Sequence, residues 1–118
     1  MNAAGATLPF PEHLAVARSV AGHTGPTVEA PAGWLQDQEV EPWTGERSLP
    51  LWLTDPDWQG VNALNSSRAR GAGLVTRPLE QTLADTLAWE LSRGPDPRRA
   101  GLSDQDERAL LDQLVPLT

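Results

Sequence analysis

"PLEQTLADTLAWELSRG", residues 78–94, sets the character of the chain. Pro78 suits an early helical position, Glu80 the first turn, Arg93 the last turn and Gly94 the stop. Leu79, Leu83, Leu87 and Leu91 recur every four residues, with Ala84 and Ala88 alongside. This spacing predicts a helix with one apolar stripe.

Similar signals lie on either side. "PEHLAVARSVAG" predicts a helix over 11–21, with Leu14, Ala17 and Ala21 on one face, Val16 and Val20 beside it, and Gly22 as its stop. "AGWLQDQE" (32–39) predicts about two turns that bury Trp34 and Leu35. Pro42 closes them. Asn65 reads as the N-cap of a short helix over 66–72 that ends near Gly73. A last helix starts at Ser103, with Asp106 three residues on, turns Leu110, Leu111 and Leu114 inward, and ends before Pro116. Short extended segments are expected over 2–9 and 49–53, and short strands over 27–31 and 61–64. "DPDWQG" (55–60) is turn chemistry, and "GPDPRRAG" (94–101) is a linker to the C-terminal helix. The expected fold is α+β: one small, mostly helical lobe over residues 1–118, with about four helices and two or three short strands. Strands this few and short are marginal without partners, which suggests part of something larger.

A chain of 118 residues makes one small domain. Its formal charge is −7, and all nine cations are arginines. Such a chain, with no basic stripe, does not suit nucleic acid or an anionic membrane as main partner. Cysteine is absent, so there is no disulfide, thiolate metal site or Cys nucleophile. Tyrosine and lysine are absent too. No apolar run approaches a membrane span, and the N-terminus lacks the pattern of a signal peptide. A cytoplasmic protein is the expectation.

The exception to the helical pattern is "EPWTGERSLPLWL", residues 41–53, which follows neither a helical nor a strand period. Arg47 lies there between Trp43 and Trp52. A guanidinium pairs with a carboxylate or phosphate and stacks on indole, so Arg47 reads as a substrate anchor, or else as an ion-pair partner of Glu46 or Glu41. Trp43, Trp52 and Trp58 read as the floor of a pocket for a flat or cyclic ligand. The competing reading puts them in the core. It suits Trp52 best, whereas Trp43 and Trp58 flank polar turns and suit a pocket or interface. Trp34 and Trp89 are expected in the core of their helices. Asp55 and Asp57 form a carboxylate pair that would serve as acid or base if one were buried, against the plainer reading of a solvated turn. Asp37 beside Trp34 is a weaker version of the same idea. His13 and His23 are the only bases that titrate near neutrality, and both are expected exposed. They are ten residues apart with no metal-ligand spacing around them, so no metal site is expected.

The 41–53 run, followed by "NSSRARGAGLVTRPLEQTLADTLAWE", resembles the C-terminal region of extended short-chain dehydrogenases/reductases, in particular bacterial NAD-dependent epimerases/dehydratases or reductases. The recurring tail of that family is matched by Ser67, Arg68 and Ala69, by Gly73 and Leu74, and by residues 76–79 and 85–89. "PRRAGLSDQDERALL" is similar to its closing segment, and "NAAG" to the strand after its catalytic half, so the resemblance spans nearly the whole chain. The departures are as informative. No Gly-rich nucleotide turn is present. "GAG" at 71–73 lacks the third glycine, the preceding strand and the downstream acid, and reads as a helix end. The family's Tyr-x-x-x-Lys pair is impossible without either residue type. The resemblance therefore implies a stand-alone substrate-binding lobe, beginning about where that lobe begins, with no cofactor and no redox chemistry of its own. Ser67 and Arg68 are then structural. Two other readings stay open. One is a cofactor-independent cyclase, isomerase or dehydratase of bacterial secondary metabolism, with Asp55, Asp57 or His13 as acid or base. The other is an interaction protein: a homodimer, or one subunit of a split enzyme with a separate Rossmann-type chain.

Overall fold

A computed structural model describes residues 1–58 and 60–114. The fold is small, α+β and mostly helical, with five helices and one pair of short parallel strands among the described residues. They are α1 (Phe10–Ala21), α2 (Ala32–Asp37), β1 (Glu41–Pro42), β2 (Ser48–Leu49), α3 (Ser67–Gly71), α4 (Leu79–Ser92) and α5 (Asp104–Leu114), with a 3₁₀ turn at Pro56–Trp58. Among the described residues no helix is long and apolar enough to cross a membrane. The chain divides into two compact units, Met1–Gly25 with Gly60–Pro95, and Pro26–Gln59 with Asp96–Thr118. The second break falls inside the stretch read as a linker.

The first unit holds α1, α3 and α4. α1 begins one residue earlier than its proline suggests. It ends where Gly22 takes φ 64, so that the N–H groups of Gly22 and His23 close on the carbonyls of Ser19 and Arg18. That pattern is a Schellman stop. α1 packs along α4. Leu79, Leu83 and Leu87 are half-buried, but Leu91 is 72% exposed. The cause is helical pitch. A step of four residues turns about 400°, so the stripe drifts about 40° per step and Leu91 lies about 120° round from Leu79. Trp89 lies about 160° from Leu87 by the same geometry. It is 60% exposed, contrary to the expected core position, and the Arg93 guanidinium sits over its ring, 5.3 Å from the centroid. α3 has its N-cap at Ser66, one residue beyond the expected Asn65. Asn65 still serves the start of the helix, since its Oδ1 accepts from the Ser67 N–H and the Ser67 hydroxyl.

The second unit holds the hydrophobic core. Leu35 of α2, Val40 and Leu110 of α5 form a buried cluster, with Ala30, Trp34, Leu49, Trp52 and Leu102 packed against it. α5 starts where expected. The Ser103 hydroxyl accepts the Asp106 N–H at 3.1 Å, and three acids occupy the first turn at the positive end of the dipole. The end expected before Pro116 lies outside the described residues.

The strands differ from expectation. Residues 27–31 and 61–64 form none, and among the described residues the strands are β1 and β2 alone. Around Gly60 the chain turns instead, with the Ala63 N–H on the Gly60 carbonyl. The observed pair, β1 with β2, brackets the stretch that fitted no period. Parallel pairing of Glu41 with Ser48 and Pro42 with Leu49 forces the chain through a full loop in five residues. Trp43 at φ 67 and Gly45 at φ 119 supply the turning.

Candidate functional site

The 41–58 segment gathers most of the residues singled out from the sequence. Its first part is a fixed loop. The Glu41 N–H bonds the Arg47 carbonyl at 2.8 Å, the Trp43 N–H the Leu49 carbonyl at 3.2 Å, and the Thr44 N–H the Pro42 carbonyl at 2.7 Å. Ser48 is fully buried, and its hydroxyl donates to the Gly45 carbonyl at 2.7 Å. The same carbonyl accepts the Gly101 N–H at 3.1 Å. A buried hydroxyl without such a partner would cost on the order of 1–3 kcal/mol.

Arg47 fastens this loop to two helices. Its Nε donates to the Gln38 carbonyl, just past α2, at 3.1 Å, and its Nη1 meets Asp106 Oδ1, in the first turn of α5, at 2.9 Å. Neither Glu41 nor Glu46 is the acid it meets here. The Arg47 side chain is half-buried, 35% exposed.

The tryptophans divide. Trp52 packs on the Leu35–Val40–Leu110 cluster. Trp43 stands out of the loop at 47% exposure, with its backbone in the left-handed region, where a residue with a Cβ loses about 1–2 kcal/mol. Trp58 is 58% exposed at the end of the 3₁₀ turn.

Asp55 and Asp57 sit in that turn. Asp55 Oδ1 accepts the Asp57 N–H at 2.9 Å and its carbonyl accepts the Trp58 N–H at 3.0 Å. Both carboxylates are exposed. This is an aspartate-initiated turn in water, the plainer of the two sequence readings, and it lacks the burial that acid–base work at neutral pH would draw on. His13 belongs to the other unit and, contrary to the exposed position expected, is half-buried on α1, whereas His23 is exposed beyond the α1 stop as expected. Among the described residues no group of three or more His, Asp or Glu side chains is placed to hold a metal ion.

Sequence reasoning missed Gln38, Ser48, Gly101 and the Asp106 carboxylate as supports of the loop. Ser103-x-x-Asp106 signalled a helix cap, but no local pattern ties position 106 to position 47. Compared with protein-family models, curated proteins and solved structures, the chain finds no match.

Proposed function

We propose that this chain is a cytoplasmic small-molecule-binding lobe, similar to the substrate domain of NAD-dependent epimerases and reductases, and neither nucleotide-binding nor redox-active itself. The observation that carries this reading is Trp43. An indole left half in water, on a left-handed backbone, in a loop fixed at both ends, is a poor use of a tryptophan for stability. It is a good use for a ligand with a flat or cyclic face. Trp58 offers a second indole in the same unit, and Trp52 supports the loop from the core side. Arg47, four residues on, is the cation nearest to Trp43 in sequence and keeps 35% of its side chain exposed beside its pair with Asp106, so a small cyclic carboxylate is the ligand class to try first.

The test is calorimetric titration of benzoate and indole-3-acetate into the protein and its Trp43→Ala variant, with NADPH titrated in parallel. The reading expects saturable binding of a carboxylate that the variant loses, and no binding of NADPH. Tight NADPH binding would overturn it. So would carboxylate heats identical in the two proteins.

A further inference from the structure

The two units differ in how much they bury. In the second, Leu35, Val40, Leu110 and Leu114 are buried, and Ser48 fully so. In the first, Ser66 and Ala69 alone are buried among the described residues, and no side chain of α1 or α4 is. Without the rest of the chain the first unit would bury no more than these two, since removing neighbours only adds exposure. Leu14, Ala17, Leu79, Leu83 and Leu87, on the apolar sides of its two long helices, are all half-buried. Hydrophobic stabilisation scales with the area taken from water, so each contributes a fraction of what a core leucine such as Leu110 does.

Local supports are thin there too. α1 has 12 residues and α4 has 14, and isolated helices of about 12–15 residues are marginal in water. Each takes a proline as its N-cap, Pro9 and Pro78, with no side-chain cap bond, whereas the first turn of α5 is capped by Ser103. Within α4 the Thr86 hydroxyl turns back to the Thr82 carbonyl at 2.7 Å, a bond that slightly weakens a helix. The pairs Arg77–Asp85 and Arg93–Glu90 are open to solvent, where ion pairs contribute little. Besides α1 on α4, the two segments of the first unit are joined by a long, exposed bond from Asn2 Nδ2 to the Asn65 carbonyl, at 3.4 Å. Those of the second are fastened by the Gly101 N–H on the Gly45 carbonyl and by Arg47 on Asp106. The chain passes between units at Gly25–Pro26, Gln59–Gly60 and Pro95–Asp96. Every crossing thus carries a glycine or a proline, the composition of a boundary where one part moves without the other.

We propose that the first unit opens by itself under native conditions: α1 and α4 unfold and refold together while the second unit, with its 41–49 loop, stays folded. The proposal does not rest on the ligand reading. Native-state hydrogen exchange of the full chain, followed amide by amide in rising urea below the unfolding transition, tests it. The interior amides of α1 and α4 converge on one common protection factor, at least about tenfold below that of the α5 interior, and it falls as urea is added. Arg47→Ala loosens the second unit only. It lowers the α5 protection factor by at least about tenfold and leaves α1 and α4 within about twofold of the parent protein. Protection factors that agree within about threefold across α1, α4 and α5 overturn the proposal, because the chain then opens as one body. So do α1 and α4 values that stay apart and ignore urea, which is fraying of single helices. An Arg47→Ala variant that lowers α4 as much as α5 overturns it as well. If Arg47→Ala proves neutral, the profile of the parent protein decides.

Discussion

Replacing Arg47 by alanine removes two attachments of the 41–49 loop at once. The Nη1–Oδ1 pair with Asp106 measures 2.9 Å between side chains 35% and 40% exposed. At that exposure an ion pair contributes about 0.5–1 kcal/mol. The Nε bond to the Gln38 carbonyl, at 3.1 Å, adds about 1 kcal/mol, because the carbonyl regains only part of its solvation when the arginine is gone. The loss is therefore about 1.5–2 kcal/mol. Unfolding entropy near 60 °C is about 2.1 cal/mol/K per residue, so for 118 residues the melting temperature falls by about 6–8 °C. Thermal and urea unfolding, followed by tryptophan fluorescence, read this directly. A double-mutant cycle with Asp106→Ala isolates the pair, with an expected coupling of about 0.5–1 kcal/mol. In about 1 M salt, where the Debye length is about 3 Å, the coupling shrinks and the Gln38 contribution stays. A variant within about 0.5 kcal/mol of the parent protein, or a cycle that is additive at low salt, would refute the reasoning. If Arg47→Ala were neutral for stability yet lost the carboxylate, the arginine would be a substrate anchor and no fastener.

Trp43→Gly relieves about 1–2 kcal/mol of left-handed backbone cost but gives up the buried half of the indole, about 3 kcal/mol, so stability in urea falls by about 1–2 kcal/mol while ligand binding is lost; carboxylate binding that survives the change would show that the indole is not the contact. Ser48→Ala costs about 1 kcal/mol, because the Gly45 carbonyl keeps the Gly101 N–H. Ser48→Val at the same fully buried site costs about 1–3 kcal/mol more, from overpacking. Leu110→Ala, at the centre of the buried cluster, costs about 2–5 kcal/mol. Leu83→Ala on the half-buried face of α4 costs less, and the same denaturation series would expose a reversed order.

Features that depend on near neighbours in sequence were readable before any coordinates. Ser103 capping α5, Gly22 stopping α1, and the inward set of Leu110 and Leu114 each follow from residues within a turn or two of one another. What failed was counting without geometry. A leucine every four residues is not one stripe over twelve, because the helix advances by 3.6 per turn, and the error places Leu91 and Trp89 in a core they do not enter. The candidate site was legible in its membership more than in its wiring. Trp43, Arg47 and Trp52 stood out by type and spacing. The acid that Arg47 meets is 59 positions away, and nothing local distinguishes Asp106 from Glu46 as its partner. The strands were missed for the same reason. Two-residue strands have no period, and their pairing is decided by a loop whose turning residues include a tryptophan, a type rarely found with positive φ.

That tryptophan is where local stability and side-chain identity disagree most. With 47% of its surface open, an indole that buries up to about 250 Å² leaves about 120 Å² in water. It forgoes about 3 kcal/mol of burial at 25 cal/mol per Å². Its left-handed backbone forgoes about 1–2 kcal/mol more. Glycine or asparagine at position 43 would turn the chain at less backbone cost and leave no indole in water. Nine residues on, Trp52 shows that the same segment sinks an indole into the Leu35–Val40–Leu110 cluster where stability asks for one. The loop around Trp43 is held by the buried Ser48 hydroxyl, the Gly101 N–H and the Arg47 fork, so the exposed ring does not sit on a slack segment. Positions that break local rules while their surroundings are fully satisfied are where function tends to sit. Trp43, more than the aspartate turn or either histidine, is therefore the residue on which a ligand should be sought.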